Sequence, residues 1–231
     1  MKRVVIAELL DTDSGTAAEV ASSLGDLQRI NRWFGGVSTT QEMIRRVATK
    51  VHASSLSLLE VAAGSGYVPE TARQRLQRHG LNLQVTLLDR APSHLTNGNR
   101  ALAGDALALP FQDASFDLVS CTLFAHHLTA EELPRFVDEG LRVCRVAVLI
   151  NDLVRHPLHL SLVYAGLLLY RSRITRFDAP ASVRQAYTPE EMGTLLKQTA
   201  AARVETLRHY LFRMGVIAWK QQYAESKEMS S

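Results

Sequence analysis

From Leu56 onward, strand-length apolar runs alternate with helical stretches, and this alternation limits the chain to few architectures. The runs at 56–61, 84–89, 101–103, 116–121 and 145–151 are nearly continuous in apolar residues. Helical patterns separate them, as over Pro69–His79 and Ala130–Arg142. Strands that are apolar on both faces and joined by helices predict a parallel sheet covered on each side. After a helix at about Pro189–Thr199 the alternation stops. Two strand-like runs follow, Arg203–Tyr210 and Phe212–Lys220, too close together for a crossover, so they predict an antiparallel hairpin at the sheet edge. Ahead of the sheet, residues 14–52 carry helical spacing that Gly35-Gly36 divides into two pieces. The expected fold class is therefore α/β, a Rossmann-like doubly wound seven-stranded sheet, mostly parallel with a C-terminal antiparallel hairpin. A chain of 231 residues is long enough for one core and is expected to form one domain.

The chemistry-bearing positions cluster where strands end. The first strand runs through Leu58-Leu59-Glu60-Val61 into Ala62-Ala63-Gly64-Ser65-Gly66. Such a turn lets backbone approach a ligand, although by itself it can be a mere strand-to-helix connection. Glu60 can accept hydrogen bonds from an ammonium group. Asp89 ends the second strand, and its two oxygens match the two hydroxyls of a ribose; the bland reading is a helix N-cap, a duty Ser93 can take instead. Arg90 follows it at the same edge. Gly104-Asp105-Ala106 suits an adenine, with Asp105 accepting from the exocyclic amine and the Ala106 N–H donating to a ring nitrogen. A dinucleotide fold would need G-x-G-x-x-G, whereas this loop reads Ala62-x-Gly64-x-Gly66 and carries no basic residue.

Taken together, Leu58–Gly66, Asp89, Gly104–Phe111 and Ser115–Val119 resemble class I S-adenosylmethionine-dependent methyltransferases, within the small-molecule branch that includes ubiquinone and menaquinone biosynthesis enzymes. The resemblance runs over roughly residues 55–220. It implies S-adenosyl-L-methionine as cofactor, with Glu60, Ala62, Gly64 and Gly66 at the methionine end, Asp89 and Arg90 near the ribose, Asp105 and Ala106 at the adenine, and Thr122 facing the methionine moiety. Two positions depart from the family pattern. Ala62 replaces the first glycine, which a negative φ would permit, and Glu60 replaces the usual aspartate.

Acceptor chemistry is expected beyond the fourth strand, in Thr122-Leu123-Phe124-Ala125-His126-His127-Leu128. A histidine there can act as general base on an O–H acceptor. His126 and His127 are both candidates, and sequence does not separate them; either can instead cap a helix or bond within the core. Asn151-Asp152 ends the fifth strand toward the same region; Asp152 can orient a substrate hydroxyl, and the blander reading is a salt bridge with Arg155. The segment 153–180 interrupts the expected strand-to-helix step. Leu158 to Tyr170 is apolar almost all round, so burial against something is expected. A lid or wall of an acceptor pocket, with Trp33 and Phe34, is one role; a dimer interface or a shallow membrane contact flanked by Arg171, Arg173 and Arg176 are others.

The expected activity is methyl transfer to an oxygen or carbon of a hydrophobic or aromatic small molecule, polyketide- or quinone-like. The alternative is a non-methylating catalyst or interaction protein that keeps the cofactor. With a net charge of +3 and basic residues scattered among acidic ones, nucleic acid is not an expected partner. No carboxylate cluster suits magnesium, so no metal is expected. Cys121 and Cys144 read as reduced core residues. The N-terminus soon acquires Glu8, Asp11 and Asp13 and lacks a secretory pattern. No apolar run reaches the ~20 residues a bilayer span takes. A cytoplasmic monomer or homodimer is expected.

Overall fold

The computed structural model describes residues 1–11, 15–91, 95, 100–209 and 211–223. Asp13, Ser93, Tyr210 and the polar tail from Ala224 lie outside the described residues. Seven strands form one sheet: β1 (Ser55–Val61), β2 (Asn82–Asp89), β3 (Ala101–Ala103), β4 (Phe116–Thr122), β5 (Cys144–Leu153), β6 (Arg203–His209) and β7 (Arg213–Trp219). Their order is β3-β2-β1-β4-β5-β7-β6. The pairs among β1 to β5 are parallel, and β7 runs antiparallel to both β5 and β6. This is the expected Rossmann-like sheet. The order reverses between β1 and β4, where open α/β sheets leave a crevice for ligands.

Side chains alternate across the sheet, and the core divides accordingly. Leu59, Val61, Val119, Cys121, Val148 and Ile150 join one buried cluster with Phe136 and Leu133. Their strand neighbours Leu58, Leu118, Ala147 and Leu149 join a second with Met43, Ile44 and Trp219. α4 (Glu132–Val143) and α7 (Pro189–Leu196) supply the first cluster, and α2 (Gly36–Lys50) and α3 (Tyr67–Gln77) the second. Each fully buried aliphatic or aromatic side chain of this kind contributes ~1.5–3 kcal/mol. Cys121 and Cys144 are buried, free thiols within the core.

The N-terminal pattern resolves into α1 (Ala17–Trp33) and α2. A capping box joins Thr16 and Glu19 at the start of α1. Gly35, at φ 80°, turns the chain into α2. Between β5 and α7 come α5 (Pro157–Ala165), a 3-10 turn at Leu167–Leu169 and α6 (Arg173–Gln185). The expectation of burial fails here: no residue of α5 or of the turn is buried. The residues before α1 are also placed unexpectedly. Leu9 and Leu10 donate their backbone N–H to Asp178 at 2.8 and 3.1 Å. Arg3 reaches the carbonyls of Gln185, His126 and Leu128 at 2.6, 2.9 and 2.8 Å. This strap binds the N-terminus across α6. No described helix is long and apolar enough to cross a membrane.

Candidate active site

The loop after β1 owes its path to backbone that few residues adopt. Ala62, Gly64 and Gly66 have φ of 53°, 51° and 68°. Ala62 therefore corrects the expectation of a negative φ, for its Cβ is carried in the left-handed region. Gly66 is not part of the cavity wall. It is the N-cap of α3, and a Cβ there would meet Leu87 Cδ1 at 2.5 Å, so its role is to let helix and sheet approach. Gly64 does line the cavity, and its N–H donates to Asp89 Oδ2 at 2.7 Å. The Ala91 N–H donates to Asp89 Oδ1 at 2.9 Å. Asp89 is thus fixed by backbone from both sides, as the carboxylate that joins the first two strand ends.

One cavity of about 1720 Å³ opens along these strand ends. It is lined by Glu60, Ala62, Gly64, Asp89, Arg90, Asp105, Ala106 and Thr122, eight of the nine expected cofactor residues. Asp105 shapes its own loop, accepting from the Leu107 N–H at 2.9 Å. Thr122 Oγ1 is buried near Glu60 and has no partner within normal hydrogen-bond geometry among the described residues. A buried hydroxyl with unfilled bonding capacity at the end of β4, and a glycine loop open to the cavity, suit the polar methionine end of S-adenosylmethionine.

Glu60 is buried and accepts a hydrogen bond from Ser120. Burial pushes its pKa up to about 7, against the lowering effects of the Ser120 and Thr122 hydroxyls. An ammonium arriving at this carboxylate would favour the charged form and release the proton. Cofactor affinity is accordingly expected to rise with pH up to about 7 and level off above it, and to lose this dependence in Glu60→Gln. Calorimetry in buffers of different ionisation enthalpy reads the released proton directly; a wild-type affinity flat across this range would contradict it.

The geometry separates the two histidines. His126 is 2% exposed; its Nδ1 lies 2.7 Å from Asp152 Oδ1, its backbone N–H donates to Asp152 Oδ2 at 2.9 Å, and its Nε2 is 3.5 Å from Glu8 Oε1. Burial draws its pKa down, but the charges and bonds of Asp152 and Glu8 prevail and push it up to about 10. The same contact holds Asp152 below the ordinary carboxylate value against the cost of burial. His126 is the cation of a buried ion network. His127, with a side chain 19% exposed, packs its ring beside His126 and Phe124. Its Nδ1 lies 2.8 Å from Asp11 Oδ2 and its Nε2 4.0 Å from Glu8 Oε2. Both rings line the cavity.

Glu8, His126 and His127 form the one group among the described residues whose potential ligand atoms converge, within 4.8 Å. Glu8 Oε1 is already an acceptor for Ser182 Oγ and Gln185 Nε2, each at 2.6 Å. With His126 held as imidazolium, this cluster reads as charge compensation. Sequence pattern alone passes over Glu8 and Asp11 as site residues, because their only signal is charge in a segment without periodicity.

Asn151 and Asp152 depart from expectation. Asn151 bonds Gly36 O, Thr40 Oγ1 and Arg213 Nη1 at 2.7, 2.8 and 3.0 Å, tying β5 to α2 and β7. Asp152 pairs with His126, not Arg155. The Arg155 guanidinium instead meets Glu191, Ala186 O and Met1 O at 2.5, 2.8 and 3.0 Å.

A family model described as "Methyltransferase domain" matches residues 59–149, the stretch that builds this site. The matched stretch is a methyltransferase domain. No curated protein matches this methyltransferase in sequence. Among solved structures it is similar to a SAM-dependent methyltransferase from Aquifex aeolicus, with TM-score 0.58 and 17% identity over 89% of this chain and 98% of that one. The CurJ carbon methyltransferase gives TM-score 0.55 and 13% identity, covering 78% and 52% of the two chains. An O-methyltransferase family 2 protein from Planctomyces limnophilus, solved with apigenin, gives TM-score 0.52 and 18% identity, covering 71% and 50%. The chain shares their fold.

Proposed function

We propose that this methyltransferase moves the methyl group of S-adenosylmethionine to an oxygen or carbon of an apolar, aromatic or polyketide-like small molecule. The supporting observation is the continuity of the cavity. The cavity lined by Glu60, Gly64, Asp89 and Asp105 is also lined by Trp33, Phe34, Leu162, Val163 and Leu169. A polar donor end and an apolar acceptor end in one enclosure suit a group transfer that rests on alignment.

When bound, the sulfonium supplies an electrophilic methyl group. The chain's residues do the rest. Asp89 holds the ribose hydroxyls, with Arg90 beside it. Asp105 and the Ala106 N–H hold the adenine, Glu60 meets the ammonium, and Thr122 Oγ1 bonds the methionine moiety. His127 takes the proton of an O–H acceptor at Nε2, while Asp11 at 2.8 Å fixes the opposite ring nitrogen and so the tautomer. His126 serves by holding the loop. The structural neighbours include a carbon methyltransferase and an O-methyltransferase, in keeping with either class of acceptor atom.

The test is formation of S-adenosylhomocysteine against a panel of hydroxylated aromatic and β-dicarbonyl acceptors. Product in proportion to acceptor is expected. With an O–H acceptor, His127→Ala should lower kcat by about 10²-fold or more while cofactor affinity is kept. Cofactor binding without product across both acceptor classes would favour the non-methylating alternative, and an unchanged rate in His127→Ala would remove the base.

A further inference from the structure

The most unusual element is α5 with the turn after it. Pro157–Ala165 reads PLHLSLVYA, and LLL follows at Leu167–Leu169, yet none of these residues is buried. An apolar helix in water normally finds a partner. Leu168 is 90% exposed and Leu169 79%.

Their neighbours are of the same kind. Trp33, Phe34, Leu162, Leu169 and Leu211 each line the cavity, and each is about half exposed or more, so they form the rim of its mouth. This rim is drawn from the end of α1, from α5 with its 3-10 turn, and from the β6–β7 connection, three separate stretches of chain. Selection of apolar residues at one opening from three places is not the scatter expected of an ordinary surface.

Charge indicates what covers the rim. Residues 153–177 contain no aspartate or glutamate and four arginines. Of these, Arg155 is buried and Arg173 pairs with Glu19, while Arg171 and Arg176 are exposed and make no ion pair among the described residues. Arg32 lies over the Trp33 ring, 5.6 Å from its centroid. Exposed leucines and tryptophan bordered by unneutralised arginines match a surface apolar below and anionic above.

We propose that the rim formed by Trp33, Phe34, Leu162, Leu168, Leu169 and Leu211 docks on an anionic lipid surface through Arg32, Arg171 and Arg176. Docking there sets the mouth of the cavity against the bilayer, so an apolar acceptor passes from lipid to site without crossing water. The apolar turn enters the acyl boundary, and the arginines meet lipid phosphates. The proposed attachment is peripheral, made by this rim and its arginines.

Cosedimentation of the full chain, saturated with S-adenosylhomocysteine, with two vesicle types tests this. One is phosphatidylcholine alone, and the other an equal mixture of phosphatidylcholine and phosphatidylglycerol. Binding to the mixture at least about fivefold tighter than to phosphatidylcholine, weakened by salt, is expected. Arg171→Glu with Arg176→Glu should remove that preference, and Leu168→Glu should weaken binding to both. Leu168 lies outside the cavity lining, so an unchanged melting temperature for Leu168→Glu certifies its fold. Equal binding to both vesicles, or none to either, would overturn the proposal. So would concentration-dependent dimerisation lost in Leu168→Glu without vesicle binding, which would assign the rim to a second copy. Vesicle binding is read without turnover, so its outcome stands apart from that of the proposed methyl transfer.

Discussion

Asp89→Ala is expected to weaken S-adenosylmethionine binding by about 100-fold or more without unfolding the chain. Two effects combine. The carboxylate would accept both ribose hydroxyls, and hydrogen bonds to a charged group contribute ~1.5–3 kcal/mol each. The same carboxylate also fixes the loop, through Gly64 N–H at 2.7 Å and Ala91 N–H at 2.9 Å. Removing it leaves the glycine loop without its anchor at the edge where the methionine end would lie. Asp89→Asn keeps the shape but loses the charge and one acceptor, so its loss should be smaller, about tenfold. Titration calorimetry with S-adenosylmethionine and S-adenosylhomocysteine measures both variants. Wild-type affinity in Asp89→Ala would mean the ribose lies elsewhere.

His126→Ala should be the most destabilising substitution in the site, costing about 3–5 kcal/mol, whereas His127→Ala should cost under about 1 kcal/mol. The difference follows from what each leaves behind. Asp152 and Glu8 are both buried, and without the imidazolium they face each other's charge with no cation between them. His127 is partly exposed and its partner Asp11 is half exposed, so water takes over the vacated contact. The pH dependence has a definite sign. The folded pKa of His126 is about 10, above the ordinary 6.5, so its contribution is complete below about 6.5 and is lost as pH rises through about 10. Asp152 is shifted down, so its contribution is present above its ordinary 3.8 and is lost as pH falls below that. Stability should therefore hold between these limits and fall on the alkaline side, with the alkaline loss absent in His126→Ala. Urea denaturation across pH reads both; equal midpoints for the two variants would refute the buried network.

Much of the fold is legible in the amino-acid sequence. Strands β1, β4 and β7 can be located to within a residue or two because each is a dense apolar run, buried on both sides. The parallel order follows from the helices between the runs, and the closing hairpin from their absence. The proposed cofactor positions are legible for a related reason. Glu60, Gly64, Asp89 and Asp105 stand at strand ends, where a short local pattern fixes both the backbone and the edge on which the side chain emerges. Ala62 shows the limit of that reading, since a loop that holds Gly64 and Gly66 at positive φ imposes φ 53° on an alanine as well.

Long-range contacts decide the rest. Sequence places His126 and His127 together at the mouth of the site and gives no reason to prefer one. The structure divides them by 2% against 19% exposure and by partners drawn from residues 8, 11 and 152. Those partners are more than a hundred positions away or in another element, and a pKa depends on the charges around a group, not on its neighbours in sequence. The same holds for α5. Its apolar composition is plain in the sequence, but whether anything covers it is a property of the assembled surface. Local pattern thus determined the sheet and the cofactor edge, because backbone conformation and strand burial are set within a few residues. The charge state of the histidines and the exposure of the apolar rim belong to the tertiary structure alone, because both are sums over atoms that only folding brings together.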